Sequence, residues 1–228
     1  MKGTLHIVST PIGNYDDITL RALDRLRNAD LIVCEEYKIA RRLLAHFKIE
    51  KELRALNEHN ERESSEEVIK LLAEGKSAAL ISDCGTPLFS DPGHLLLDLC
   101  ISGNINIEVV PGVNSLIPAI TGSGLKIEKF YYFGWLSPKK DIRRKELIKL
   151  RSLNEVIALM ETPYRLRTVL NDIDKLFGNN VKAVLAFELT SKNEKYFRGT
   201  VNEIKAEAER RKLKGEFVLL IDNRRHKR

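Results

Sequence analysis

The sequence predicts an α/β chain built as two α/β domains, on three observations. Through the first half, short aliphatic runs alternate with stretches of helical period, the pattern of successive βαβ units and of a largely parallel, doubly wound sheet. After Pro111-Gly112-Val113-Asn114 the signals start over. The charge changes at the same point: residues 1–113 carry 13 Lys and Arg against 18 Asp and Glu, net −5, and residues 114–228 carry 25 against 14, net +11. We therefore draw the domains as 1–113 and 114–228.

Taken in order, Leu5 to Ser9 reads as the first strand and Thr10-Pro11-Ile12-Gly13-Asn14 as a turn. Asp16 or Asp17 is expected to cap a helix with Ile18, Leu20, Leu23 and Leu26 on its apolar side. Leu31 to Cys34 is a buried strand, Ile39 to Phe47 a helix, and Leu53 to Leu56 a weak strand. Ser65 to Ala73 reads as a helix capped by Ser64, with Glu67 three residues on as the capping-box partner. Ala78 to Ile81 is aliphatic throughout, as a strand covered on both faces should be. A helix from His94 to Cys100 and a strand from Ile105 to Val110 finish the first half. In the second half, Leu116 to Ile120 is helical, Phe130 to Phe133 is an aromatic strand, and SPKKDIRRKELIKLR carries seven Lys or Arg on a loop and helix start. Val156 to Met160 is a strand, and Thr162-Pro163 opens a helix with an oxygen-bearing cap and Pro at the first position. Strands at Val181 to Phe187, Tyr196 to Gly199 and Glu216 to Ile221, with a helix from Val201 to Lys212, complete the second unit.

The stretch SAALISDCGTPLFSDPG, residues 77–93, stands out. A buried strand empties into a loop dense in Asp, Gly and Pro, just beyond the carboxyl end of the strand, where open α/β sheets bind ligands. Pro87 and Pro92 fix the loop's shape, and Gly85 lets backbone approach a ligand closely. Elsewhere the composition mainly excludes. No run approaches the ~20 apolar residues of a membrane span, and the first ten residues lack a signal peptide's apolar core, so a cytoplasmic chain is expected. Cys34, Cys84 and Cys100 are odd in number and irregular in spacing, which predicts free thiols and no metal site. The basic second half fits a polyanion, with nucleic acid the usual partner.

Five stretches, TPIGNYDDITLRAL, SDCGTPLFSDPG, VVPGVNS, METPYRL and KGEFVLLI, together and in this order resemble the tetrapyrrole methylase family of S-adenosylmethionine-dependent enzymes. Among them they are most similar to the branch that methylates a ribose 2′-hydroxyl, on a cytidine, in 16S ribosomal RNA of the small ribosomal subunit. The resemblance implies two α/β domains with an S-adenosylmethionine cleft between them, a homodimer, and no glycine-rich Rossmann fingerprint. It places Pro11, Ile12, Asp83, Gly85, Thr86, Phe89, Asn114, Ser115, Met160, Leu189 and Gly215 at the cofactor. Carbonyls, hydroxyls and apolar walls suit a positively charged sulfonium donor better than Lys or Arg would.

The chain also departs from that branch. Where Glu-Asp-Thr-Arg is usual after the second strand, this sequence has Glu35-Glu36-Tyr37-Lys38, while His59-Asn60-Glu61 and the Glu161/Arg165 pair are kept. Methyl transfer to a hydroxyl is an in-line displacement that needs the oxygen aligned and its proton removed. Glu35, Glu36, His59 and Asp91 are the residues near motif loops able to serve as base; Glu35 ranks first, with Lys38 facing the developing alkoxide. Lys139, Lys140, Arg143 and Arg144 are expected to line RNA phosphates beside Tyr132 and Trp135, with the tail from Arg224 to Arg228 adding a tether. Two other readings share the fold: a methylase of a small tetrapyrrole or corrin-type substrate, and a non-catalytic relative that binds RNA or another ligand.

Overall fold

A computed structural model describes residues 2–178 and 180–225. The chain divides into two compact units, Met1–Asn114 and Ser115–Arg228.

The first unit holds strands β1 (Thr4–Val8), β2 (Leu31–Cys34), β3 (Leu53–Ala55), β4 (Ala78–Ile81) and β5 (Asn106–Val110), all parallel, in the order β3-β2-β4-β1-β5. Between them run helices α1 (Leu20–Asn28), α2 (Tyr37–His46), α3 (Glu61–Ala73) and α4 (His94–Ser102). Side-chain alternation along the strands sorts the core into two layers. Val8, Ile32, Cys34, Ala79 and Ile81 pack with α1 and α2 through Leu26, Ala40 and Leu43. Leu5, Ile7, Val33, Ala78 and Leu80 pack on the other face with Val68 and Leu72 of α3 and Leu96 and Cys100 of α4. Neighbouring strands β1 and β4 thus send their helices to opposite faces, which makes the gap beyond their carboxyl ends the topological switch point of the sheet. Register brings three loops to that gap, because Val8 pairs with both Ile81 and Val110.

Two expected caps in this unit are corrected. Residues 15–17 form a short 3-10 turn in which Asn14 accepts the Asp16 N–H, and it is Thr19, not Asp16 or Asp17, that caps α1 by accepting the Ala22 N–H. Helix α3 begins one turn earlier than expected. Ser64 lies inside it, buried, and donates its hydroxyl to the Ala55 carbonyl at 2.8 Å; Asn60 occupies the cap position.

The second unit is a mixed sheet of β6 (Phe130–Gly134), β7 (Val156–Glu161), β8 (Lys182–Phe187), β9 (Lys195–Thr200) and β10 (Phe217–Asp222), in the order β6-β7-β10-β8-β9. Only β6 and β7 run parallel; the other three pairs are antiparallel. Helices α6 (Lys140–Arg151), α7 (Leu166–Phe177) and α8 (Val201–Arg210) bury Leu147, Leu150, Val169, Leu170 and Ile204 against Ile157, Leu159, Leu185 and Leu219 on one face. A shorter helix, α5 (Leu116–Gly122), packs on β10. Helix α8 starts in a full capping box, Thr200 accepting the Glu203 N–H and Glu203 accepting that of Thr200. Ahead of α7, residues 163–165 form a 3-10 turn with Pro163 at its start, and the Thr162 side chain makes no capping bond, contrary to expectation. None of the three cysteines is in a disulfide; burial pushes the thiols of Cys34 and Cys100 up to about 12 and about 11.

Candidate functional site

The site of the first unit grows out of the switch point. Thr10, two residues past β1, and Gly85, four past β4, exchange backbone hydrogen bonds in both directions at 2.8 and 3.1 Å, and the Thr10 hydroxyl donates to the Ser82 carbonyl at 3.0 Å. Ser9 and Thr86 are joined through their hydroxyls at 3.3 Å. These bonds hold Pro11, Ile12, Gly85 and Thr86 side by side. Gly85 has φ +82°, in the region that favours glycine, and a Cβ there would sit 3.4 Å from Ile12 Cγ2 and 3.8 Å from the Val113 carbonyl oxygen. The third loop enters through Gly112, where any Cβ would lie 2.9 Å from that of Ser9. The lining is therefore neutral: Pro, Ile, hydroxyls and carbonyls. Asn114 follows directly on this loop, and Phe89 stands on the outer part of the 82–93 loop, half exposed.

Carboxylates gather beside it. Asp83 Oδ1 accepts the Glu36 N–H at 3.2 Å, tying the loop after β4 to the one after β2. Glu35, half-buried, has its carboxyl raised above the ordinary range, first by burial and then by the charges of Asp83, Asp91, Glu36 and Glu58. Asp83 is raised as well, by burial first, with the Glu36 amide pulling the other way. A negative ring of this kind favours a cation nearby and makes Glu35 a stronger proton acceptor than an exposed glutamate. Lys38 lies exposed in the first turn of α2, and His59 is exposed with its N–H donated to Asn57 Oδ1.

Two residues gain roles that the sequence reading did not assign. Glu61, the acid of His59-Asn60-Glu61, reaches across 32 positions to accept the N–H groups of Gly93 (2.8 Å) and Leu95 (3.2 Å), capping α4 and fixing the far end of the 82–93 loop. Tyr37 accepts the Ala55 N–H at 3.0 Å on its phenol oxygen, so the departure at 37 ties α2 to the edge strand β3. A long-range partner leaves no local spacing signal, which is why neither was visible.

In the second unit, Met160 near the end of β7, Leu189 after β8 and Gly215 before β10 come to one end of the mixed sheet, since Phe217 pairs with both Glu161 and Phe187. Tyr132 donates its hydroxyl to Met160 Sδ at 3.3 Å. Gly215 has no room for a side chain: a Cβ would lie 2.2 Å from Glu188 Oε1. Ser115 opens α5.

The basic segment needs correction at Arg143. Its side chain is only 6% exposed; Nε donates to Asp172 at 2.8 Å and Nη1 to the carbonyls of Ser137 and Pro138. That guanidinium is a buried structural group, turned inward by its position on the apolar side of α6 with Leu147 and Leu150. Arg165 donates to the same Ser137 carbonyl at 3.0 Å and sits 3.2 Å from the buried Glu161, whose carboxyl is raised by burial and held down by Arg165 and the amides of Leu136 and Thr162. The pair thus anchors the loop leading into α6. Exposed Lys139 and Lys140, half-exposed Arg144 and the exposed Trp135 remain on the outside. In the tail, Arg224 pairs with Asp222 at 2.7 Å, while 226–228 lie outside the described residues.

The family described as Tetrapyrrole (Corrin/Porphyrin) Methylases matches residues 4–205. Ribosomal RNA small subunit methyltransferase I of Thermotoga maritima is 39% identical over 222 residues, 97% of this chain and 99% of that one. The protein of the same name from Bacillus subtilis is 36% identical over 96% of this chain and 75% of its own. Among solved structures, a cobalt precorrin-4 methyltransferase superposes with TM-score 0.73 at 19% identity, covering 96% of this chain and 94% of that one. Uroporphyrin-III C-methyl transferase from Thermus thermophilus, complexed with S-adenosyl homocysteine, gives 0.67 at 16% identity, covering 97% and 98%. With the family match spanning most of its length and such relatives end to end, the chain belongs to the tetrapyrrole methylase family, in the group of the small-subunit ribosomal RNA methyltransferase I proteins.

Proposed function

We propose that the chain is a cytoplasmic, homodimeric methyltransferase that moves a methyl group from S-adenosylmethionine to the 2′-hydroxyl of a cytidine ribose in 16S ribosomal RNA. The observation that carries the reading is the likeness to the ribosomal RNA enzymes, 36–40% identical over at least 96% of this chain. Supporting it, exposed Lys139 and Lys140, close in sequence to exposed Trp135, suit phosphates and a base, and among the described residues no helix is long and apolar enough to cross a membrane. Light scattering at twice the chain mass would support the dimer.

The cofactor fits the residues present. Gly85 leaves open what a Cβ would fill, the lining is free of Lys and Arg, and Asp83, Glu35 and Asp91 set a negative field for a sulfonium. When bound, S-adenosylmethionine supplies an electrophilic methyl group. Pro11, Ile12, Gly85, Thr86 and the loops carrying Phe89 and Asn114 would hold it. Glu35 would accept the proton of the ribose hydroxyl, and Lys38 would steady the negative charge left on that oxygen.

Gly85→Val is expected to weaken S-adenosylmethionine binding at least about tenfold, because φ +82° costs an L-residue about 1–2 kcal/mol and a β-branched one more, so the free loop relaxes away from the conformation that binds, and the added side chain fills space a ligand would meet. Calorimetry reads it, and undiminished affinity would remove Gly85 from the site. For the substrate, Lys139→Ala, Lys140→Ala and Arg144→Ala together should reduce the slope of log affinity for small-subunit RNA against log salt by about 2.1 to 2.7, roughly 0.7–0.9 per lost phosphate contact, with cofactor affinity unchanged. A compact tetrapyrrole would show little salt dependence, so an unaltered slope would favour that substrate.

A further inference from the structure

The first unit carries net negative charge, yet five of its thirteen Lys and Arg fall in residues 37–51, where the sole acid is Glu50. The fold turns this stretch into a groove. Helix α2 and the loop that follows fold back beside the edge strand β3, leaving an open cavity of about 700 Å³ lined by Tyr37, Arg41, Lys48, Glu50, Lys51 and apolar residues including Leu44 and Ile49. Its apolar floor is buried, Leu44 and Ile49 being at most 6% exposed. The rim carries three cations against one acid, Glu50; among the described residues Arg41, Lys48 and Lys51 form no ion pair within 4.0 Å, and Asp30 feels the charge of Lys51 only at longer range. Tyr37 is held upright by the hydrogen bond it accepts from Ala55, and the Arg41 guanidinium lies 5.6 Å from its ring centroid, with 40% of the tyrosine still exposed.

A fixed aromatic ring with a guanidinium over it, flanked by two unpaired ammonium groups on an otherwise acidic unit, has the chemistry of a single-stranded RNA contact. The ring and guanidinium take a base by stacking, and the lysines take the adjoining phosphates. A membrane surface fits less well, since the groove presents a buried floor instead of protruding apolar side chains. We propose that this groove is a second RNA-binding site, distinct from the methyl-transfer residues and from the 139–144 segment, holding one or two unpaired nucleotides of the substrate. The proposal rests on the RNA reading above.

The test uses the full-length protein and small-subunit ribosomal RNA. Lys48→Ala with Lys51→Ala should lower the salt slope of RNA affinity by about 1.4 to 1.8 and weaken binding at low salt, leaving cofactor affinity and the rate at saturating RNA unchanged. In the parent, photo-crosslinking to 4-thiouridine-substituted RNA should label a peptide within residues 41–51, clear of Lys38, a readout that needs no variant to fold. A parent that binds RNA while the double variant keeps its slope and the peptide stays unlabelled overturns the groove and spares the function. Sedimentation of the parent, but not the variant, with phosphatidylserine vesicles would also overturn it, in favour of a lipid surface. A parent that binds no RNA overturns both.

Discussion

Glu35→Gln should lower kcat by about 10²- to 10⁴-fold, the range for losing a positioned general base, with a much smaller loss of cofactor affinity because Asp83 and Asp91 keep most of the negative field. The expectation follows from where the residue stands. Glu35 is the first residue past β2, half-buried, with Asp83, Asp91, Glu36 and Glu58 all disfavouring its charge. Its proton affinity is therefore higher than that of an exposed glutamate, and it works as a base only when ionised. The sign follows: kcat/KM of the parent should rise with pH through an acid limb displaced above the ordinary 4.5, and Gln, which cannot ionise, should abolish that limb. A flat profile in both proteins, or a variant with parental kcat, would remove Glu35 from the reaction and direct attention to Asp91 and His59.

The second large effect concerns stability. Arg143→Ala should destabilise the second unit by about 3–5 kcal/mol, because it leaves Asp172, 9% exposed, as an uncompensated buried charge and strips the Ser137 and Pro138 carbonyls of donors. Lys at this position should rescue only partly, since one ammonium cannot reproduce the three-bond fork from Nε and Nη1. Arg144→Ala, one residue along on the outside of α6, should change stability by no more than about 0.5 kcal/mol. Urea unfolding compares the three, and equal midpoints for Arg143→Ala and Arg144→Ala would contradict the assignment of Arg143 as structural.

That contrast also marks what the sequence could reveal. Strand β4 was legible because Ala78-Ala79-Leu80-Ile81 is apolar at every position and bounded by polar residues, and the loop after it because Gly85, Pro87 and Pro92 punctuate it. The parallel half followed from such runs alternating with helical periods. Arg143 was misplaced because a charge count cannot see burial: its partner Asp172 lies 29 residues on, in α7. Ser64 matched a capping-box spacing and yet lies inside α3, since a tertiary acceptor, the Ala55 carbonyl, took its hydroxyl while the helix extended back to Glu61. The mixed order of the second sheet was hidden for a related reason: strand direction depends on crossovers, and residue periodicity is the same for both. The cofactor-facing residues emerged only through the family resemblance, as neutral side chains and backbone carry no local signature of their own.

Transfer to a ribose hydroxyl of RNA is tested most directly by its product. Small-subunit ribosomal RNA incubated with the purified chain and a methyl-labelled donor should, after alkaline hydrolysis, yield its label in a dinucleotide that resists cleavage, because a 2′-O-methyl group removes the nucleophile that alkali uses to break the linkage. Label recovered in mononucleotides would mean methylation of a base, and no transfer to RNA alongside transfer to a tetrapyrrole would mean the small-molecule reaction; either result contradicts the account.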